Sequence, residues 1–302
     1  MIDADSKLIR VGFVSLFGRP NTGKSTLLNA ILKQKLSIVT RKPQTTRHQI
    51  TGIKSNPGSQ IIFIDTPGLQ QKPKQALNRF MNRQVTQAFA DIDLVLFMVE
   101  ALKWTDADEH ALKLLQQYAV ANVFLVINKT DKVSNKDELL PFIKNISGQY
   151  AFREIVPLSA RKGDGVAELE AMIINYLPEG QALYPEDMMT DRNERFFAAE
   201  FLREKLMSRL GEELPYRLAI TIDAFKTEKD ICHIHAVIWV EKPGQKQIVI
   251  GKEGKVLKAA GREARLDLEK LLGQKVNLKT WVKVKNKWTE SDQALKSLGY
   301  DV

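Results

Sequence analysis

Gly18-Arg-Pro-Asn-Thr-Gly23-Lys24-Ser25 sets two glycines, a lysine and a hydroxyl at the spacing G-x-x-x-x-G-K-[ST]. That spacing holds phosphate for a physical reason. The glycines let backbone N–H groups turn inward around phosphate oxygens, and a helix starting there adds the positive end of its dipole. Lys24 would reach the β- and γ-phosphates as a point charge, and Ser25 would give its hydroxyl to Mg²⁺. Asn21, Thr22 and Thr26 complete the set expected around the phosphates, with Gly18 and Gly23.

Four further segments extend the chemistry. Asp65-Thr-Pro-Gly68 follows the apolar run Ile61–Ile64. An aspartate at a strand end can hold Mg²⁺ through water, and Gly68, lacking a side chain, can bring its N–H close to the γ-phosphate. Between the two lies Lys42-Pro-Gln-Thr45-Thr46-Arg47-His48. It has no apolar period and is expected to be mobile without ligand. A threonine there, Thr46 with Thr45 as the alternative, would complete the Mg²⁺ shell only while the γ-phosphate is present, the usual logic of a switch loop. Asn128-Lys129-Thr-Asp131 follows the apolar run Val123–Ile127. The Asp131 carboxylate can accept from guanine N1–H and the 2-amino group, neither of which adenine offers. Ser159-Ala160, after Ile155–Leu158, can aim a backbone N–H at guanine O6.

The elements that position these groups alternate strand-like and helix-like patterns, which indicates an α/β domain with a mostly parallel sheet. Val11–Phe17, Leu94–Val99, Val123–Ile127 and Ile155–Pro157 read as buried strands, and Lys24–Leu32, Asp106–Tyr118 and Gly165–Tyr176 as helices. Gln49–Lys54 and Gln60–Ile64 flank a turn containing Asn-Pro-Gly, so one edge strand is expected to be antiparallel. Residues 1–178 form this domain, and 179–190, with Gly180, read as a linker. Residues 191–302 run differently, as helix–strand–strand–helix–helix–strand. Arg192–Leu210 is the first helix, and strands are marked by alternation at Tyr216, Leu218, Ile220 and Ile222 and at Ile234, Ala236, Ile238 and Val240. A tight turn, Gly251-Lys252-Glu253-Gly254, joins two helical stretches, and a last strand turns Leu278, Thr280, Val282 and Val284 one way and Lys279, Trp281, Lys283 and Lys285 the other.

The net charge of +9 is concentrated. Lys242 to Lys287 holds thirteen Lys/Arg against four Asp/Glu, so the remainder of the chain sums to zero. Such a block fits a polyanion, nucleic acid before an anionic membrane surface. One cysteine, Cys232, excludes an intramolecular disulfide framework and fits a reducing cytoplasm. Met1–Arg10 is polar, unlike a secretory leader, and no apolar run is long enough to span a bilayer. Cys232, His233 and His235 invite a metal reading, but on a strand the cysteine faces away from both histidines. Trp281 and Trp288, among lysines, suit either base stacking or a small core.

Taken together, Gly18–Ser25, Gln44–His48, Asp65–Gly68, Asn128–Asp131 and Ser159–Arg161 resemble the five G motifs of the Era family, bacterial GTPases of the TrmE-Era-EngA-like P-loop group that carry a C-terminal KH domain. The resemblance covers nearly the whole chain and implies an α/β P-loop GTPase domain followed by an α+β type II KH domain. It implies GTP/GDP and Mg²⁺ as ligands, and a monomeric switch that binds the 3′ end of 16S ribosomal RNA in assembly of the small (30S) subunit, coupling ribosome maturation to growth. The cytoplasm, with peripheral contact at the inner membrane face, is the implied location. Gly251–Gly254 would be the G-x-x-G clamp on single-stranded RNA, aided by Lys252, Lys255, Lys283 and Lys285, with Glu253 a departure in charge. Leu69 stands where many GTPases carry a water-orienting glutamine. In relatives such as TrmE a P-loop asparagine binds K⁺, and Asn21 matches it. The resemblance thus puts Lys24, Thr46, Gly68 and Asn21 at the catalytic centre. An alternative reading is a binding module, for RNA or a membrane surface, whose G domain only holds nucleotide.

Overall fold

The computed structural model describes residues 8–69, 75–87, 89, 91–211 and 213–300; most of the polar start therefore lies outside the described residues. The chain divides into two compact units. The first comprises 1–37, 46–72 and 81–191, and the second 38–45, 73–80 and 192–302.

The first unit is built on a seven-stranded sheet. In chain order it contains β1 (Ile9–Phe17), α1 (Lys24–Leu32), β2 (Ile50–Asn56), β3 (Ser59–Asp65), α2 (Ala76–Gln87, shared with the second unit), β4 (Leu94–Glu100), α3 (Asp106–Gln117), β5 (Val123–Asn128), α4 (Leu139–Ser147), β6 (Glu154–Pro157), α5 (Val166–Tyr176) and β7 (Glu179–Gly180). The strand order is β2-β3-β1-β4-β5-β6, with β7 on the outer end of β1. β1, β3, β4, β5 and β6 are parallel, and β2 runs antiparallel to β3 around Gly58, whose φ of 82° suits the Asn-Pro-Gly turn. Both faces of the central strands are buried, which explains their continuous apolar runs. Val95, Phe97 and Val99 of β4 and Leu125 and Ile127 of β5 pack with Leu112 and Leu115 of α3 and Ile146 of α4. α1 packs against α5 beside β2 and β3.

Residues 179–190, read as a linker, are tied to the first unit. β7 pairs Ile9 with Gly180, Gln60 Oε1 accepts from the Leu183 and Tyr184 amides, the Ile53 amide donates to Met189 O, and Thr51 Oγ1 donates to Asp191 Oδ2. Pairing of β7 with β1 and bonds from Gln60, Thr51 and the Ile53 backbone hold 179–191 on the first unit, contacts that Pro and Gly content does not reveal.

The second unit contains α6 (Glu194–Arg209), β8 (Ala219–Glu228), β9 (Ile231–Val240), α7 (Pro243–Ile250), α8 (Lys255–Leu272), β10 (Lys275–Val284) and α9 (Asp292–Lys296). The sheet order is β10-β9-β8, with β9 antiparallel to β8 and parallel to β10. Leu202 and Leu206 of α6, Val249 of α7 and Ala260 and Ala264 of α8 cover one sheet face, against Ala236, Ile238, Val240 and Val282. The alternation expected from Tyr216 begins later. Leu214–Arg217 is a 3₁₀ turn with Pro215 in its first turn, and the strand starts at Ala219. Segment 38–45 packs on α6: Glu204 Oε1 accepts from the Val39 amide, and the buried Arg203 donates to Thr45 O at 2.5 Å and to Glu200.

Candidate functional site

β1 ends at Phe17 and α1 starts at Lys24, so residues 18–23 form a loop across the strand end and the helix N-terminus. Its glycines are fixed by packing. A Cβ on Gly18 would lie 2.4 Å from Met98 O, and one on Gly23 2.1 Å from Asn128 Nδ2, with φ of 141° and 106°. Asn21 is exposed with φ 63°. The Thr22 hydroxyl donates to Arg19 O, and buried Lys24 curls back so that Nζ donates to Gly18 O and Arg19 O at 2.9 Å each. Burial pulls the Lys24 ammonium down to about 8, against the attraction of Asp65.

Next to α1, oxygens converge. The Ser25 hydroxyl donates to Asp65 Oδ2 at 2.7 Å, the Ser37 hydroxyl donates to the same oxygen at 2.9 Å, and Thr46 Oγ1 lies 3.0 Å from Ser25 Oγ. Asp65 Oδ1 is buried with no hydrogen-bond partner among the described residues. Burial raises the Asp65 carboxyl above its ordinary value, opposed by Ser25, Lys24 and Ser37. A buried, partly unsatisfied carboxylate beside two hydroxyls is an all-oxygen donor set, and it fits a hard divalent cation such as Mg²⁺. The Thr45 hydroxyl is engaged elsewhere, donating to Lys42 O at 2.7 Å beside Thr40. The polar loop, expected to move when no ligand is bound, is packed in this structure. Thr45, Thr46 and Arg47 are buried, held by polar bonds that leave no hydrophobic period in the sequence. Ser37 was not legible either, since a lone serine between strands carries no signal. Leu69 packs into the core with Phe17 and Phe97, so it presents nothing to a water. Gly68 lies against the phosphate loop, where a Cβ would meet Pro20 Cγ at 2.7 Å.

The base-reading loops are joined to the phosphate loop by one side chain. Asn128, at the end of β5, donates to Thr22 O at 2.8 Å, while its Oδ1 accepts from the Ala160 amide at 3.0 Å. The Ala160 N–H expected to face guanine O6 thus ties the two loops together, and the Ser159 amide donates to Asp164 O. The Ser159 hydroxyl donates to Asp131 Oδ1 at 2.7 Å and fixes the carboxylate. Lys129, at φ 68°, reaches Glu100 Oε2 at 2.8 Å. Glu100 also pairs with Arg19, whose Nε–H is shared between the two carboxylate oxygens of fully buried Asp108 at 2.9–3.0 Å. Burial opposes ionisation of Glu100, yet Lys129 and Arg19 hold its carboxyl below the ordinary value. This chain of charges was missed, because Arg19 and Asp108 stand 89 residues apart.

In the second unit, Gly251–Gly254 connects α7 to α8 through a 3₁₀ turn. The two glycines differ. A Cβ on Gly251 would strike Val256 Cγ2 at 2.4 Å, whereas at Gly254 it would meet only Lys258 Cε at 3.8 Å. Both have φ near 72°, so Gly251 serves the turn and Gly254 leaves open space where a backbone can be approached. Glu253 is exposed and pairs with Lys255 at 3.0 Å, so its charge is partly neutralised within the turn. Lys283 is exposed, Lys285 half-buried and Trp281 45% exposed. Trp288 is fully buried, so it fills a core and takes no base. Cys232 faces that sheet's buried side and His233 and His235 the other, and no metal-holding cluster of His, Cys, Asp and Glu exists among the described residues.

Comparison with known proteins follows this geometry. Residues 13–129 match the family described as 50S ribosome-binding GTPase, and 213–289 match the KH domain. The chain is 49% identical over 296 residues to GTPase Era of Pseudomonas fluorescens, covering 98% of each. It is 50% identical over 290 residues to GTPase Era of Marinobacter nauticus, covering 96% of this chain and 95% of that one. Among solved structures, an Aquifex aeolicus Era variant bound to GDP·AlF4⁻ superposes with a TM-score of 0.93 at 39% identity, covering 97% of this chain and 100% of that one. Era in complex with MgGDPNP and nucleotides 1506–1542 of 16S ribosomal RNA gives 0.92 at 39% identity, with the same coverage. A glycine-rich loop between a strand and a helix, a buried carboxylate beside two hydroxyls and two loops tied together by Asn128 thus stand in a chain whose relatives match it over both units, and the chain belongs to the GTPase Era family.

Proposed function

We propose that the chain hydrolyses GTP to GDP and phosphate, and that the nucleotide governs binding of its KH unit to the 3′ end of 16S ribosomal RNA during 30S subunit assembly in the cytoplasm. The observation that carries the enzymatic part is Asn128, bonded at once to the phosphate loop and to the Ala160 loop, which sets phosphate and base sites at one fixed distance. The RNA part is supported by the relative whose complex contains that RNA. No helix among the described residues is long and apolar enough to cross a membrane.

In this reading Lys24 neutralises charge on the outer phosphates as the bond between the γ-phosphorus and the bridging oxygen breaks. Ser25, Thr46 and Asp65 would hold Mg²⁺, which would supply further charge neutralisation when bound. Gly68 presents its backbone to the γ-phosphate, and Asn21, exposed at φ 63°, is the proposed K⁺ ligand that stands in for an arginine finger. Asp131 reads the base, aimed by the Ser159 hydroxyl, while Lys129, through Glu100, and Ala160, through Asn128, hold the flanking loops in place. Thr46→Ala is expected to leave GDP affinity within about twofold and to lower single-turnover GTP hydrolysis at least tenfold, because the threonine would join the cation shell only in the triphosphate state. Equal losses of GDP and GTP affinity, measured by fluorescent-nucleotide titration, would put Thr46 outside the switch.

The RNA assignment is tested by replacing Lys252 and Glu253 together with aspartate. Glu253 is left-handed at φ 54°, a conformation that aspartate tolerates, and the turn is exposed, so melting temperature should hardly move. Binding of a single-stranded RNA from the 3′ end of 16S rRNA should fall at least tenfold and depend less on salt, while GTP hydrolysis stays at wild type. An unchanged RNA affinity in the folded variant would remove the loop from the interface.

A further inference from the structure

We propose that the outer face of the β8-β9-β10 sheet is a second RNA-contact surface, on which unstacked bases of a single strand lie against Trp281 and the β9 histidines while Lys279 and Lys283 hold its phosphates. The inference rests on the RNA-binding reading above and deepens it, giving Lys283 and Trp281 a surface separate from the Gly251–Gly254 clamp.

α6, α7 and α8 all pack on the inner sheet face, and the Gly251–Gly254 turn joins two of those helices. The opposite face carries none of them. There β9 presents Ile231, His233, His235, Val237 and Trp239, and β10 presents Lys275, Asn277, Lys279, Trp281 and Lys283, paired in parallel register. On β9 and β10 these ten positions hold three lysines, two histidines, two tryptophans and no acid, with Val237 buried among them, and β8 adds Lys226 beside His233 and Glu228 beside Ile231. One exposed ring is ordinary on a protein surface, but Trp281 stands among lysines and imidazoles, a combination that suits a polyanion with stacking bases better than an apolar protein partner.

The side chains on this face have distinct roles. Trp239 gives its only donor to Thr221 Oγ1 at 3.0 Å, which locks the ring, and Lys283 Nζ and Lys285 Nζ lie 5.6 and 5.9 Å from the ring centroid. Trp239 thus serves as a cation–π seat that keeps two ammonium groups in place. Trp281 meets His235 edge-on, with centroids 5.2 Å apart and an interplanar angle of 70°, and remains 45% exposed, which leaves ring surface open to a base. Asn277 Nδ2 lies 3.2 Å from His233 Nδ1 and orients the second imidazole. Alternate residues on a strand are roughly 6.6 Å apart, room for successive bases that have left their stack, and a strand-borne pair of rings is how four-stranded RNA-binding sheets seat bases. Because β10 is the edge strand, an RNA leaving the Gly251–Gly254 turn reaches this face by rounding a single strand.

The test uses the full chain loaded with a non-hydrolysable GTP analogue and two RNAs: a tetranucleotide that fills the G-x-x-G clamp, and a fragment equivalent to nucleotides 1506–1542. Trp281→Ala should weaken the long RNA roughly tenfold or more, leave the tetranucleotide and GTP hydrolysis unchanged, and be rescued by Trp281→Phe. Lys279→Gln with Lys283→Gln should flatten the salt slope for the long RNA by about 1.4, two single-strand phosphates' worth. Long-RNA affinity and salt slope unchanged in these folded variants would overturn the proposal. An effect at Trp281 with none in the Lys252/Glu253 double variant would uphold it and overturn the clamp instead. Failure of the wild-type protein to bind either RNA would overturn both.

Discussion

Asp131→Asn should cost GTP affinity by about 10³-fold or more and move the preference to xanthosine triphosphate, with protein stability nearly unchanged. The carboxylate is held by the Ser159 hydroxyl at 2.7 Å, so its direction is set before any base arrives. Guanine brings two donors, N1–H and the 2-amino group, and a carboxylate accepts from both. An asparagine presents one acceptor and one donor, so one guanine donor faces another donor and stays unsatisfied. Xanthine carries an oxygen in place of the amino group and matches the amide. Sites built on a donor–acceptor match reject a mismatched partner by about 10⁴-fold, because buried groups are left without partners. Asp131 is only half-buried, which argues for the lower part of that range. Competition of a fluorescent GDP analogue by GTP, ATP and xanthosine triphosphate reads the change directly. Wild-type protein that takes ATP as readily as GTP would end the base-reading assignment, whatever the variant does.

The parts of this site that could be read from sequence are those whose partners are local or whose spacing is rigid. A glycine-rich turn between a strand and a helix must keep its spacing, so Gly18–Ser25 stood out, and so did the acids at strand ends, Asp65 and Asp131. The mostly parallel character of the sheet followed from apolar runs that a sheet covered on both faces explains, and the antiparallel edge from the Asn-Pro-Gly turn; the order of the strands appears only in the fold. What escaped are contacts that topology makes and sequence does not mark. Arg19 finds Asp108 across the ends of β1 and α3, and Glu100 finds Lys129 across the ends of β4 and β5. Ser37 reaches Asp65 from an irregular segment. Segment 42–48 had the polar composition of a solvated loop, yet its hydroxyls and carbonyls satisfy one another and Thr45, Thr46 and Arg47 are buried. Residues 179–190 read as a linker because their partners, β1, Gln60 and the Ile53 backbone, lie more than a hundred residues away in sequence. Trp288 was ambiguous for the opposite reason: its neighbours in sequence are lysines, while its neighbours in space form a core.

Lys24→Ala should lower both GDP and GTP affinity by about 10²–10³-fold, the loss expected when one partner of a buried charge pair is removed. Lysine is required as lysine. Its Nζ sits within the loop, bonded to Gly18 O and Arg19 O, and a planar guanidinium does not fit a compact cradle of carbonyls. The same burial gives the wild-type protein a pH signature. Desolvation holds the free ammonium at about 8, so the unliganded site loses its charge as pH rises through that value. Phosphate favours the ammonium and raises its pKa in the complex. Between those two values binding must take up a proton, and nucleotide affinity falls with rising pH by at most about tenfold per unit. For the unliganded protein the sign is opposite. The unfolded chain keeps its proton up to the ordinary lysine value near 10.5 while the folded chain gives it up near 8, so Lys24 makes stability rise with pH across that window. Titration calorimetry with GDP from pH 7.5 to 8.8, below ionisation of guanine itself, in two buffers of different protonation enthalpy, measures the proton taken up. The Lys24→Ala protein should show neither the uptake nor the slope. A pH dependence that survives in the variant would assign the proton to another group and leave Lys24 charged throughout.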